Sequence, residues 1–124
     1  MLHVNEITNG SHPFEVVDSI ITFTGQAFLI PDSAKSILTF NSSYAQFLTL
    51  NGESNSMTDI TGFSQGAYMK FGKGRLVIFG EAAMFSGQFG AGLSWAKVGL
   101  NSPKAKNNYK LLLNIIHWLD NNKN

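Results

Sequence analysis

The sequence predicts an α/β domain in which a small mixed sheet packs against a long C-terminal helix. Three observations support this prediction. Four short runs of β-branched and aromatic residues, separated by turn residues, occur within residues 19–50. Two apolar segments within residues 66–79 are joined by a glycine-rich turn, which indicates an antiparallel hairpin. Residues 103–120 carry apolar side chains at helical spacing.

The first thirty residues predict a leading segment followed by a hairpin. Residues 1–13 show no clear period and end in a proline. Residues 19–23 and 27–30 are rich in residues that favour strands, and Thr24-Gly25-Gln26 between them has the composition of a tight turn. We therefore expect these two runs to pair.

Two further strands and a long loop are expected next. Residues 36–40 and 45–50 are short apolar runs separated by Asn and Ser, which are turn residues. Residues 51–64 are dominated by Asn, Gly, Ser, Thr and Asp, so they predict a surface loop. Its length exceeds the usual four to six or so residues of a connection, which is typical of functional loops.

The hairpin of residues 66–79 is the clearest local pattern in the chain. Residues 66–71 alternate between two faces, as a strand with one buried side does. Residues 76–79 are apolar throughout, which indicates a central strand covered on both faces. Gly72-Lys73-Gly74 is short enough to connect the two strands directly.

The last element is predicted to be a helix that begins with Ser102 as its N-cap and Pro103 as its first residue, and ends at Asp120. One set of its apolar residues follows the three-four spacing of a single face: Tyr109, Leu112, Leu113, Ile116 and Leu119. A second set widens that face: Leu111, Ile115 and Trp118. Such a helix is either deeply buried or also contacts a partner.

The charge of the chain argues against a nucleic-acid partner. Nine basic and eight acidic residues give a formal net charge of +1. The nearest approach to a basic cluster is formed by Lys104, Lys106 and Lys110, which ordinary helix-surface lysines explain. Nucleic-acid-binding domains concentrate far more positive charge.

Composition also limits the chemistry and the topology that we expect. The chain has no cysteine, which excludes disulfides, thiol catalysis and cysteine metal sites. We expect no membrane span, because no run approaches the ~18 apolar residues that one requires. The first ten residues lack the pattern of a signal peptide, and the compartment stays open.

The candidate site is the loop that follows the apolar strand. Glu81 comes directly after that strand and Gly80, at a strand end where α/β proteins bind ligands. Ser86 and Gln88 supply further polar groups, so we predict that these three residues bind a ligand. A structural role for Glu81 is the alternative: it could cap nearby backbone amides or pair with Arg75 or a lysine.

Other kinds of site receive little support from the sequence. The glycines of residues 87–92 lack the Lys-Ser/Thr ending of a phosphate loop and the spacing of a dinucleotide fingerprint. The three histidines, His3, His12 and His117, show no metal-binding spacing. No serine lies in a nucleophile elbow. We therefore predict no catalytic residue, no metal and no cofactor.

Two segments together carry a family resemblance. Residues 72–81, GKGRLVIFGE, and residues 108–119, NYKLLLNIIHWL, resemble the end of class I glutamine-amidotransferase-like domains. The similarity is to the trehalose-utilisation-protein-like and gliding-motility-transport-like types. It extends over about residues 12–119.

This resemblance implies a partial flavodoxin-like, three-layer fold, with residues 1–124 forming a single domain that corresponds to the C-terminal half of such a domain. In the true amidotransferases a cysteine acts as nucleophile with histidine and glutamate, and the cysteine would lie in the half that does not match. The resemblance therefore implies a fold and a noncatalytic or uncharacterised role.

Three functions follow as hypotheses. The first is a noncatalytic domain that binds a small ligand or a protein through the loop after the last strand. The second is a hydrolase or amidase in which Glu81 is the general base and the other groups lie outside this chain. The third is a homodimeric assembly module that uses the broad apolar helix and an uncovered sheet edge.

Overall fold

The computed structural model describes residues 1–41, 44–48, 54–90 and 96–120. It contains two α-helices, α1 (Glu6–Asn9) and α2 (Asn108–Asp120), and two short 3₁₀ helices at Pro13–Glu15 and Ala83–Phe85. The strands are β1 (Lys35–Thr39), β2 (Tyr44–Leu48), β3 (Ser54–Asp59), β4 (Ser64–Phe71), β5 (Gly74–Phe79), β6 (Gly87–Phe89) and β7 (Lys97–Gly99). The predicted α/β class is confirmed at this level.

The described strands form three antiparallel sheets. The largest has the order β1-β4-β5, while β2 pairs with β3 and β6 pairs with β7. Every pairing between these strands is antiparallel, so the predicted mixed sheet is wrong for the part of the chain described. The β2–β3, β4–β5 and β6–β7 connections are too short for the crossovers that parallel strands need. β1 and β4 are farther apart in the chain, and the β2–β3 pair lies between them.

The β4–β5 hairpin is confirmed, but its two strands exchange the roles that the sequence predicts. The register runs from Gly66 opposite Phe79 to Phe71 opposite Gly74. β4 is the central strand, whereas β5 lies at the edge with Leu76 42% and Ile78 50% exposed. The apolar run of β5 therefore does not indicate a strand covered on both faces.

The predicted hairpin of residues 19–23 and 27–30 is wrong. In this region only Phe28 makes a strand-like contact, an isolated bridge to Ser64 at the beginning of β4. The backbone of Ile21, Phe23 and Thr24 is bonded by side chains from distant parts of the chain. β-propensity identified an extended segment here but could not identify its partners.

The predicted loops contain unpredicted strands. Within residues 51–64, the stretch 54–59 is strand β3, paired with β2, and residues 51–53 lie outside the described part. The loop predicted after the apolar strand corresponds to residues 80–99, and its described positions include a 3₁₀ helix and the antiparallel pair β6–β7. These strands are short and polar or glycine-containing, so hydrophobic periodicity does not reveal them.

Helix α2 begins later than predicted. Residues 102–107 form successive turns, in which Ala105 N donates to Ser102 O at 3.0 Å and Asn108 N donates to Ala105 O at 3.2 Å. The predicted cap therefore starts a turn rather than the helix. The helix reaches Asp120 as predicted.

The buried face of α2 is formed by the second set of apolar residues, which the sequence pattern indicated only as a widening of the first face. Leu111, Ile115 and Trp118 are buried. The residues of the predicted face are instead partly or largely exposed, as shown by the exposed fractions of Tyr109 (50%), Leu113 (46%), Ile116 (49%) and Leu119 (41%). The helix therefore has two apolar faces, and the described residues bury one of them.

The core lies between the three-stranded sheet and the two helices. Its fully buried side chains come from α1, β1, the second 3₁₀ helix and α2: Ile7, Ile37, Met84 and Leu111. Tyr68 of β4 meets Trp118 edge-on, with ring centroids 5.2 Å apart. No helix in the described residues has the length and apolar character required to cross a membrane.

Candidate functional site

Glu81 lies at the predicted strand end but points into the protein. Glu81 is only 4% exposed. Oε1 accepts hydrogen bonds from the backbone N–H groups of Phe23 (2.8 Å) and Thr24 (3.0 Å), and Oε2 accepts one from Gln65 Nε2 at 3.4 Å. The carboxylate therefore fastens residues 23–24 to the end of β5. This arrangement favours the structural alternative, with different partners from those predicted.

Two glycines allow the chain to approach Glu81 this closely. Gly25 has a φ of +131°, and a Cβ there would lie 2.7 Å from Gln65 Nε2 and 2.9 Å from Glu81 Cβ. A Cβ on Gly80 would lie 2.1 Å from the carbonyl oxygen of Gln26. Gln26 N donates to Gly80 O at 3.0 Å, so the two segments meet through their backbones.

Ser86 and Gln88 contact each other, while the hydrogen bonds of Glu81 go elsewhere. Gln88 Nε2 donates to Ser86 Oγ at 2.6 Å, and Ser86 Oγ donates to the carbonyl of Ala83 at 3.1 Å. Gln88 is exposed at β6, whereas Glu81 is buried. The structure thus separates the predicted trio into one internal group and one surface pair. Ligand binding by that pair stays a prediction.

Asn108 is a structurally important residue that the sequence did not single out. It is fully buried at the start of α2. Its Oδ1 accepts from Ile21 N at 3.0 Å, while its Nδ2 donates to Ile21 O at 2.8 Å and to Met84 O at 3.0 Å. The Asn108 side-chain amide therefore satisfies both backbone groups of Ile21, as a neighbouring strand would in a sheet. A polar residue beginning an apolar helix was the available signal.

Two of the three histidines have partners within the fold. His3 Nε2 lies 2.9 Å from Thr39 Oγ1, and the ring of His12 stacks on Phe14. No group of three or more His, Cys, Asp or Glu side chains in the described residues could hold a metal ion. The hydrogen-bonded groups around Glu81 are N–H donors, which occupy the oxygens that a general base would use.

The outer edge of β5 presents backbone groups that the described chain leaves unpaired. Gly80 N donates to Gln65 O at 2.8 Å, so these two residues form a hydrogen-bonded pair that continues the β4–β5 ladder. Because strand peptide groups alternate in direction, those of Arg75, Val77 and Phe79 then point away from β4. No described backbone group bonds to them.

Comparison with known proteins adds no relative. No protein-family model matches this sequence, and no curated protein or solved structure shows significant similarity to it. The resemblance to class I glutamine-amidotransferase-like domains therefore stays a prediction, and the case for any function depends on the geometry described above.

Proposed function

We propose that this chain is a noncatalytic assembly domain in which β5 pairs with β5 of a second copy. The observation that carries the proposal is the row of outward-pointing peptide groups at Arg75, Val77 and Phe79. An apolar edge strand with unpaired backbone groups is a template for another strand. Pairing would satisfy these groups and extend the three-stranded sheet to six strands.

The sequence of β5 is complementary to itself in the antiparallel direction. With a two-fold axis at Val77, Leu76 of one copy faces Ile78 of the other. Arg75, the one charged residue of the strand, faces Phe79 of the second copy rather than another arginine. No like charges oppose each other in this register, and apolar side chains meet across the interface.

The side chains of β5 favour burial on its outer face. Leu76 and Ile78 are 42% and 50% exposed, and with Leu29 and Met69 they line a shallow apolar groove of about 100 Å³. Pairing would cover part of this surface. The gain is proportional to the apolar area removed from water.

The area buried by pairing five residues at a strand edge is much smaller than the ~800 Å² per partner of a standard interface. Helix α2 can supply more area, because it contacts β5 and exposes a second apolar face through Tyr109, Leu113 and Ile116. In the proposed dimer both α2 helices lie on the same side of the continuous sheet.

The oligomeric state tests the proposal directly. We expect sedimentation velocity to show a concentration-dependent dimer for the wild-type chain. Replacing Leu76 and Ile78 together with Lys should give a monomer, because like charges would then face each other across the edge. Met57→Lys changes an exposed apolar strand residue elsewhere and is the matched control. A wild-type monomer throughout the series, or a double variant that dimerises like the control, would refute the proposal.

Hydrogen exchange at Val77 provides a second test. Its N–H has no acceptor among the described residues, so it should exchange quickly in a monomer. We expect protection that grows with protein concentration. Equal protection at low and high concentration would argue against pairing at this edge.

A second candidate is ligand or partner binding through the loop after β5. The supporting observation is the exposed Gln88 side chain bonded to Ser86. If Gln88→Ala leaves the binding of every identified ligand unchanged, this candidate fails. The hydrolase hypothesis has less support, because the Glu81 oxygens already accept three N–H groups.

The origin of the fold is a separate proposal. We propose that the chain corresponds to the C-terminal half of a class I glutamine-amidotransferase-like, flavodoxin-like domain. The β4–β5 hairpin and α2 occur in the order that this resemblance implies, whereas the antiparallel sheets argue against it. The sequence encoded before Met1 is the test: parallel βα units there are expected, and their absence would contradict it.

A further inference from the structure

A polar cleft of about 440 Å³ opens on the β1 side of the sheet, away from the edge of β5. Residues 18–22 and β1 form most of its lining. Its volume falls within the range of about 300–1,000 Å³ that is typical of small-molecule sites. Polar and apolar side chains both line it, among them Asp18, Thr22, Gln65, Leu38 and Phe40.

Gln65 gives this cleft an anchored polar group. The residue lines the cleft although it is only 4% exposed. Its Nε2 donates to Thr24 O at 2.9 Å and to Glu81 at 3.4 Å, which fixes the orientation of the amide. No described residue donates to Oε1, so this buried side chain has an acceptor available to a ligand.

Asp18 and Thr22 are also suited to a ligand that donates hydrogen bonds. Asp18 Oδ1 accepts from Ser19 and from Asn107, while no described residue donates to Oδ2. The Thr22 hydroxyl is exposed and has no hydrogen-bond partner among the described residues. Asp18 is the only charged side chain among the described lining residues, and the N-terminal ammonium of Met1, which donates to Thr39 O, is the one positive group there.

We infer that this cleft binds a small, neutral polyhydroxy molecule. Hydroxyl donors on the ligand would meet Gln65 Oε1 and Asp18 Oδ2, and Thr22 could donate or accept. The apolar side chains of Leu38 and Phe40 would contact the carbon skeleton. Neither an anion nor a cation is favoured, because the described lining carries one carboxylate, Asp18, and one ammonium, the N-terminus of Met1, whose charges are opposite.

Ligand-observed NMR and calorimetry with defined probes test this inference. Glucose, myo-inositol and sucrose are the neutral probes, while succinate and putrescine test an anion and a cation of comparable size. We expect at least one neutral probe to bind and neither charged probe to do so. Binding of putrescine alone, or of none of the five, would overturn the inference.

Variants then locate the site of binding. Asp18→Asn and Thr22→Val should each weaken a bound neutral probe roughly 2- to 10-fold, the loss expected for one hydrogen bond. Thr58→Val makes the same isosteric change outside the cleft and should have no effect. Equal affinities for all three variants would place any binding elsewhere and refute the proposed site. Neither change touches the β5 edge, so this test is independent of dimer formation.

Discussion

The two edges of the three-stranded sheet are treated in opposite ways. At β1 the chain covers its own edge: His3 N donates to Ile37 O and Thr39 N donates to Met1 O, both at 2.9 Å. At β5 the described residues provide no such cover, although the strand is apolar. The contrast indicates that a partner can be inferred from the unpaired backbone groups of β5, whereas side chains typical of catalysis provide less evidence for a function.

The largest expected difference between the two edges concerns one isoleucine near each of them, truncated to alanine. Ile37 of β1 is fully buried, so Ile37→Ala should lower the free energy of unfolding by about 2–5 kcal/mol. Ile78 of β5 is half exposed, and Ile78→Ala should cost the monomer about 1 kcal/mol or less. Urea unfolding at low protein concentration measures both. Equal losses would mean that β5 is covered after all.

Substitution of Glu81 tests how residues 23–24 are attached to the end of β5. Glu81→Ala leaves the N–H groups of Phe23 and Thr24 without their acceptor, and we expect a loss of about 2–3 kcal/mol in unfolding free energy. Glu81→Gln keeps one oxygen acceptor and should cost less. If alanine and glutamine are equally mild in urea unfolding, the carboxylate does not hold this segment.

A milder substitution weakens the contact between residues 1–3 and the edge of β1. His3→Ala removes the contact between its ring and Thr39 Oγ1 and should cost about 1 kcal/mol. The amide of Thr39, which donates to Met1 O, should then exchange faster with solvent. Unchanged exchange at Thr39 would show that the cover does not depend on the histidine. The amide of Leu100, which donates to Ser86 O at 2.8 Å, serves as the internal reference.

The smallest expected effect concerns pH and the N-terminal region. The backbone N–H of Ser11, with that of His12, holds the pKa of Glu15 below its ordinary value of 4.5. Because the folded pKa is depressed, the stabilising contribution is present above 4.5 and is lost as pH falls through the lower folded value. Glu15→Gln should therefore lessen the loss of stability over that interval. Parallel pH profiles for the two proteins would contradict this.

Sequence patterns identified the elements whose contacts are local and repetitive. The pairing of β4 with β5, the short turn between them and the end of α2 at Asp120 were all predictable from spacing. The alternation expected for β4 was wrong, because Ser64 to Tyr68 are all buried. The edge position of β5 was not predictable, because an apolar run looks the same at an edge and at the centre of a sheet. The site residues were harder still: the two backbone groups that donate to Glu81 lie 57 and 58 positions away in the chain.

The amide of Asn108 has a consequence for the order in which the protein acquires its structure. Both backbone groups of Ile21 depend on a side chain 87 positions later, at the first turn of α2. Residues near Ile21 therefore cannot complete their hydrogen bonds until the C-terminal helix has docked, and closing such a long loop is entropically costly. During synthesis from the N-terminus, Ile21 is made 87 residues before Asn108, so we expect this segment to complete its structure late in folding.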